Sequence, residues 1–386
     1  MSRNRAQLKT EPCKTSRLCA DGHGKEPAHP MRRILVINPG STSTKLSVFE
    51  DERECVQATI AHPAADLKPF KRIMDQIEFR TLLVRNFLHE NHVDIGKINA
   101  VIGRGGLLKP IRSGVYRINT AMLEDLGSGR FGEHASNLGG VLAHRLAQEA
   151  GCPAFIADPV VVDEMDAIAR LSGLPGIERK SIFHALNQKS VAWEIARKIG
   201  KPYAACNFIV AHMGGGISVG AHCRGCVIDV NNALDGDGPF APERTGGLPA
   251  GQLVEMCFSG QYTLAEMKRK LTGMGGLVAY RGSHSFTNLK KAVLAGDAQA
   301  QLIYEAMAYQ VSKEIAMHGA TLKGDVDRII LTGGLARDET FVGKIKERVC
   351  HLAVVEVIPG EREMASLAQA AWMVLRQMEP EKEYNG

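Results

Sequence analysis

An α/β fold of two similar domains facing a cleft is what this sequence predicts, and three observations carry that expectation. Strand-like and helix-like segments alternate along most of the 386 residues. The run Ile34-Leu-Val-Ile-Asn38-Pro-Gly40-Ser41-Thr-Ser43-Thr-Lys45 reads as a strand, a tight polar turn and the start of a second strand. A loose echo with negligible identity recurs at 207–230. Two phosphate-competent hairpins, one early in each half, make a nucleotide between two domains the natural geometry.

The first strand rests on four consecutive branched apolar residues from Ile34, the signature of a buried strand. Asn38-Pro-Gly40 is expected to stop the ladder and force the turn. Four hydroxyl residues and Lys45 follow, then the apolar run Leu46-Ser-Val-Phe49. Amides, hydroxyls and one cation gathered at a turn suit a phosphate, and a Ser/Thr-rich hairpin without a ligand is the alternative. Residues 73–93 have helical spacing, with Ile77, Leu82, Leu83, Phe87 and Leu88 available for one face. A strand at 99–102 ends at Gly103-Arg104-Gly-Gly106. A short amphipathic helix is expected over 139–150, and a strand at 154–157 leads into Asp158-Pro159. Helix spacing covers 181–199. The second hairpin consists of a strand at 207–211, the turn His212-Met-Gly-Gly-Gly216, and apolar runs at 217–221 and 227–230. A helix over 298–322, a strand at 328–331 followed by Thr332-Gly333-Gly334, a strand at 354–358 and a closing helix at 367–378 complete the reading.

Composition excludes several classes. With 45% apolar and 23% charged residues the chain is that of a globular enzyme, long enough for roughly two to three domains. No apolar run approaches the ~18 residues of a membrane span, and no apolar N-terminal segment marks a secretory signal. Nine cysteines without regular spacing fit free thiols in a reducing cytoplasm. Residues 1–30 hold six Lys/Arg and three Asp/Glu, so most of the net charge of +5 lies there. The near-neutral remainder argues against a nucleic-acid surface. Residues 1–30 are expected to be disordered, the product of an upstream start codon with Met31 as the true start, and a targeting or regulatory tail is the alternative.

Three segments, Asn38-Pro-Gly-Ser-Thr-Ser-Thr-Lys45, His212-Met-Gly-Gly-Gly216 and Leu331-Thr-Gly-Gly-Leu335, resemble the first phosphate, second phosphate and adenosine segments of the acetate/butyrate kinase (acetokinase) family. The resemblance spans about residues 32 to 378. The segment from Asp229 through Phe240 and Arg244 to Gly246 is similar to the butyrate kinases of that family. The family implies the actin/hexokinase-like fold, two ribonuclease-H-like domains flanking an ATP cleft. The expected division is 31–160, completed by a C-terminal helix at 366–380, and 161–365.

That resemblance implies reversible transfer of phosphate from ATP to a short-chain carboxylate, butyrate above all, with Mg²⁺. Branched-chain, propionate and acetate kinases are the nearest alternatives. A non-catalytic actin-like regulator is the alternative of a different class. A carboxylate nucleophile of pKa about 4 is already ionised at neutral pH, so no general base is needed. Charge neutralisation at the transferring phosphoryl is the task instead.

Carried over by motif, Asn38, Gly40, Ser41, Ser43 and Lys45 belong to the first phosphate turn, with Asn38 near the metal. His212, Gly214, Gly215 and Gly216 form the second phosphate turn, and Gly333, Gly334 and Leu335 the adenosine segment. Arg104 corresponds to the substrate-carboxylate arginine, Arg244 to the arginine at the transferring phosphoryl, and His184 to the transition-state histidine. Asp158 matches an acidic residue near the metal or γ-phosphate, and His134 another active-site histidine. Glu361 or Glu363 holds the metal through water. The family further implies a homo-oligomer, a dimer or higher. Gly215 replaces the asparagine of acetate kinases, and the 281–288 loop departs from the butyrate kinase pattern.

Other motifs lack their structural context. Gly127-Ser-Gly129-Arg-Phe-Gly132 follows a helix-like stretch rather than a strand. Gly216-Ile-Ser218-Val-Gly220 is followed by a strand, not the helix of a nucleophile elbow. Cys223-Arg-Gly-Cys226 is short of the four ligands of a zinc site and reads as two free thiols at a hairpin tip.

Overall fold

The computed structural model describes residues 31–386; the extension expected to be disordered lies outside the described residues. Two sheets organise the chain. In the first, β1 (Arg33–Pro39), β2 (Ser43–Glu50) and β3 (Arg53–Ala61) form an antiparallel meander. Next, β4 (Ala100–Arg104) and β6 (Ala154–Ala157) join β1 in parallel, and β5 (Val115–Arg117) pairs antiparallel on the outer edge. The strand order is β3-β2-β1-β4-β6-β5.

The second sheet repeats this plan. Strands β7 (Asn207–Met213), β8 (Ile217–Cys223) and β9 (Cys226–Val230) form the meander. Strands β10 (Arg328–Gly333) and β11 (Val355–Pro359) extend it in parallel, giving the order β11-β10-β7-β8-β9. Without β5 the two orders coincide. The echo between 34–49 and 207–230 is therefore a duplicated topology, the actin/hexokinase-like arrangement, in which strand order persists after sequence identity has gone.

Helices cover both faces of each sheet. Helices Ile77–Glu90 and Asn137–Ala150 pack on one face of the first sheet, and Glu363–Leu375 lies on the other. In the second sheet, Ala298–Thr321 and Glu339–Val349 cover one face and Ala185–Lys198 the other. Ala185–Lys198 and Glu363–Leu375 also contact each other, forming a shared layer between the sheets. Strand β4 meets Asn137–Ala150 at two glycines. A Cβ on Gly103 would lie 2.0 Å from the Gly139 carbonyl oxygen, and one on Gly139 would lie 2.2 Å from that of Arg104. No described helix is long and apolar enough to cross a membrane.

Several boundaries differ from expectation. Strand β1 runs through Pro39, which pairs with Thr44, so the turn is confined to 40–42. Proline is tolerated there because its missing N–H falls at the end of the ladder. The helix expected over 181–199 begins at Ala185, placing His184 at its N-cap. The closing helix expected over 366–380 is Glu363–Leu375. It starts early because Arg362, in the left-handed region at φ 48°, turns the chain directly into it.

Candidate active site

The candidate residues follow the C-terminal ends of the parallel strands, where open α/β sheets place their ligands. Asn38 is the penultimate residue of β1, Arg104 ends β4 and Asp158 follows β6. His212 lies near the end of β7, Gly333 ends β10, and Glu361 and Glu363 follow β11. Register thus gathers residues hundreds of positions apart.

A knot of charge ties the first sheet to the layer helix. Glu363 Oε1 forms an ion pair with Arg104 Nη1 at 2.8 Å, and its Oε2 accepts a hydrogen bond from Asn38 Nδ2 at 2.7 Å. One face of a cavity of about 150 Å³ carries Arg104, Asp158, His184, His212, Glu361 and Glu363, beside the apolar Ala157, Pro159, Val160 and Leu186. A wider cleft of about 620 Å³ brings Lys45, Gly334 and Arg337 to the same two glutamates. Lys45 stands opposite Asn38 in the β1–β2 ladder.

His184 and His212 stack face to face, with ring centroids 3.8 Å apart and planes 12° from parallel. His184 Nδ1 lies 2.9 Å from Ser218 Oγ, and His212 Nδ1 lies 2.7 Å from Asn187 Oδ1. Burial first, then the positive charge of Arg104 and Arg244, pushes His212 down to about 3. Burial, its neighbour His212 and the same arginines hold His184 well below the usual imidazole range. Both rings are neutral at pH 7, so the cations of the site are the arginines and Lys45. The sign gives a prediction: protonated imidazole appears only far below pH 6.5, so kcat at saturating substrates is expected to stay flat between pH 5.5 and 8. A limb of unit slope near pH 6.5 would contradict it.

Arg244 reaches the second phosphate turn on the 231–246 segment. Its Nη1 donates to the Ala233 carbonyl at 2.5 Å, while Nε is buried without a partner. A Cβ on Gly216 would stand 1.6 Å from Nη1, so any larger residue there would displace the guanidinium. Gly215 is exposed, and its carbonyl accepts from Glu243 N at 3.1 Å.

Asp158 has φ 37° and accepts from Ser113 Oγ at 2.7 Å and Gly114 N at 2.8 Å, with burial pushing its pKa up. Gly40 N donates to the Ser43 carbonyl, closing the first turn, and Ser41 is exposed at its tip. His134 lies outside both cavities, bonded to Ser136 Oγ at 2.8 Å. Leu335 is buried in the core of the second sheet, so only backbone of the adenosine segment remains for a ligand. The 281–288 loop comes close to the second phosphate turn through His284, whose Nδ1 is 3.9 Å from Glu243.

Residues not singled out in the sequence complete the site. Asn187 links His212 to the Glu361 carbonyl, to which its Nδ2 donates at 2.6 Å. Arg80, fully buried, donates to Thr44 Oγ1 at 2.9 Å and to the Ser43 carbonyl at 3.1 Å beneath the first turn. The spacing of His184, Asn187 and Gln188 on one helical face was the available signal for the first; Arg80 had none.

A model of the acetokinase family matches residues 174–369. Among solved structures, the chain is similar to an acetate kinase from Porphyromonas gingivalis, at 17% identity over 90% of this chain and 100% of that chain, with a TM-score of 0.74. A propionate kinase from Francisella tularensis matches at 19% identity, 88% and 99% coverage and a TM-score of 0.70. An acetate kinase from Entamoeba histolytica matches at 16% identity, 87% and 98% coverage and a TM-score of 0.68. Likeness at these identities establishes a shared fold.

Proposed function

Because the chain belongs to the acetokinase family, and is thereby a carboxylate kinase using ATP, we propose that its acceptor is butanoate, giving butanoyl phosphate and ADP. The observation that carries this reading is the meeting of Arg104 and the stacked neutral histidines at one cleft beside an apolar wall, with the Arg244 charge near enough to depress both imidazoles. Ala157, Pro159, Val160 and Leu186 suit an alkyl tail, while Arg104 keeps donors free of Glu363 for a carboxylate. The butyrate-kinase-like segment leading to Arg244 supports four carbons over two.

The substrate carboxylate, ionised at neutral pH, attacks the γ-phosphorus with one oxygen; the bond to the β–γ bridging oxygen breaks and ADP leaves with that electron pair. Arg104 orients the acid. Arg244 and the donor face of His184 stabilise charge on the transferring group. The first and second phosphate turns, with Lys45, hold the nucleotide phosphates. Asp158, anchored by Ser113 and Gly114, borders the acid side.

Glu361, exposed at the cleft, is free to face a hard cation through water, whereas both carboxylate oxygens of Glu363 are held by Arg104 and Asn38, and among the described residues no three acidic or imidazole side chains gather as direct ligands. Glu361 would hold Mg²⁺ through water, and the ion would supply positive charge to the nucleotide phosphates. A homo-oligomer is part of this reading, supported by the helix Ala250–Phe258, which buries no residue and leaves Phe258 86% exposed.

Acyl phosphate formed from MgATP and trapped as hydroxamate tests the assignment across acetate, propionate, butanoate, isobutyrate and isovalerate. A maximum at butanoate is expected. Preference for acetate would overturn the acyl assignment, and nucleotide binding without any product would point to the regulator reading.

A further inference from the structure

Behind His184 runs a chain of buried polar groups that phosphoryl transfer does not touch. Gln188, Ser218 and His222 are each fully buried. Gln188 Nε2 donates to the Ser218 carbonyl at 3.0 Å and to Ser218 Oγ at 2.9 Å. A carbonyl only accepts, so this fixes the amide: its NH₂ faces Ser218 and Oε1 faces away. Oε1 lies 3.0 Å from His222 Nε2, so that nitrogen must carry a hydrogen. Burial and the nearby Lys189 charge hold His222 neutral, which leaves Nδ1 as an acceptor. Tyr203 Oη sits 2.6 Å from it. Burial and the negative charges of Glu164 and Asp158 keep the phenol protonated, so it donates. The direction read from the Tyr203 end matches the direction read from the Gln188 amide.

At the inner end, Ser218 Oγ accepts from Gln188 and, at 3.4 Å, from the His184 backbone N–H. Its own hydrogen is left for His184 Nδ1 at 2.9 Å. We propose that Tyr203, His222, Gln188 and Ser218 are positioning residues whose four hydrogen bonds run in one direction. They lock His184 in the tautomer that presents Nε2–H to the cleft. A neutral imidazole without that constraint would turn a lone pair toward a negatively charged phosphoryl group in part of the population. The stacked partner is locked the other way. Asn187 Nδ2 donates to the Glu361 carbonyl, so its Oδ1 accepts from His212 Nδ1–H and His212 Nε2 is an acceptor. The stacked pair therefore offers one donor and one acceptor.

The catalytic meaning of this arrangement rests on the carboxylate kinase reading; the tautomer does not. Long-range ¹H–¹⁵N spectra of the full chain labelled with ¹⁵N-histidine, without substrates at pH 7, read it directly, with His184→Gln providing the assignment. The expected result is a protonated Nε2 and a bare Nδ1 on His184. Ser218→Ala is expected to mix the tautomers and lower kcat roughly 10–100-fold with both KM values nearly unchanged. Ser218→Thr, which keeps the hydroxyl, should restore both. A protonated Nδ1 in the unaltered protein, or full kcat in Ser218→Ala, would overturn the proposal. Absence of turnover with every acid would instead sink the kinase reading and the catalytic role with it, while the spectrum still decides the tautomer.

Discussion

Arg244→Ala is expected to lower kcat roughly 10³–10⁵-fold, the range of an arginine that stabilises a transferring phosphoryl group. MgATP affinity, measured calorimetrically on the same variant, should change little, because the phosphate turns and Lys45 hold the ground-state nucleotide. Arg244 Nε is buried without a partner, which costs free energy in the resting protein. Lysine should not rescue, since its single point charge cannot bond to the Ala233 carbonyl and the phosphoryl group in one fixed plane. A loss below tenfold would remove Arg244 from the reaction, and a matching loss of nucleotide binding would make it a ground-state contact.

Gly139→Ala is expected to destabilise the fold by about 3 kcal/mol, although alanine is the better helix former. The new Cβ would lie 2.2 Å from the Arg104 carbonyl, and that neighbour is backbone that cannot rotate away. Either β4 moves off the helix Asn137–Ala150 or the helix shifts, and both displace Arg104 from Glu363 and Asn38. Activity should fall along with stability. Gly127→Ala is the matched comparison: it lies in the helix Thr120–Ser128 and a Cβ there meets nothing within 4 Å. That change should stabilise by about 0.5–1 kcal/mol. Urea unfolding of both variants checks the pair; a Gly139→Ala protein as stable as the unaltered chain would contradict the close approach.

Local signals made part of this molecule legible. Branched apolar runs ending in glycine and hydroxyl turns marked β1, β4, β7 and β10, and each delivers a candidate group to the cleft. Arg104 and Arg244 were marked by the resemblance to the acetokinase family rather than by local pattern. Strand β3 did carry a readable alternation, with Val56, Ala58 and Ile60 on the face that packs against the core and Gln57 and Thr59 on the other, although as an edge strand it buries no residue fully. Strand β5 has three residues, too few for a period. The helix Ala250–Phe258 buries nothing and so shows no core-facing stripe. Helix Glu339–Val349 did carry a readable stripe in Phe341, Val342, Ile345 and Val349. Glu363 as first residue of its helix was hidden because Arg362 caps it by backbone conformation rather than by side chain. The partners behind the histidines were beyond sequence reading for a plainer reason. Ser218 lies 34 residues from His184, and only the pairing of β7 with β8 and the packing of Ala185–Lys198 on that sheet bring them together.

The most direct measurement is the product itself: purified protein, MgATP and butanoate, with acyl phosphate trapped as hydroxamate and ADP measured in parallel. The account predicts ADP and butanoyl hydroxamate in equal amounts, both dependent on the acid, with butanoate ahead of acetate. ADP released at the same rate without any acid, or no turnover in protein that binds nucleotide, would contradict it.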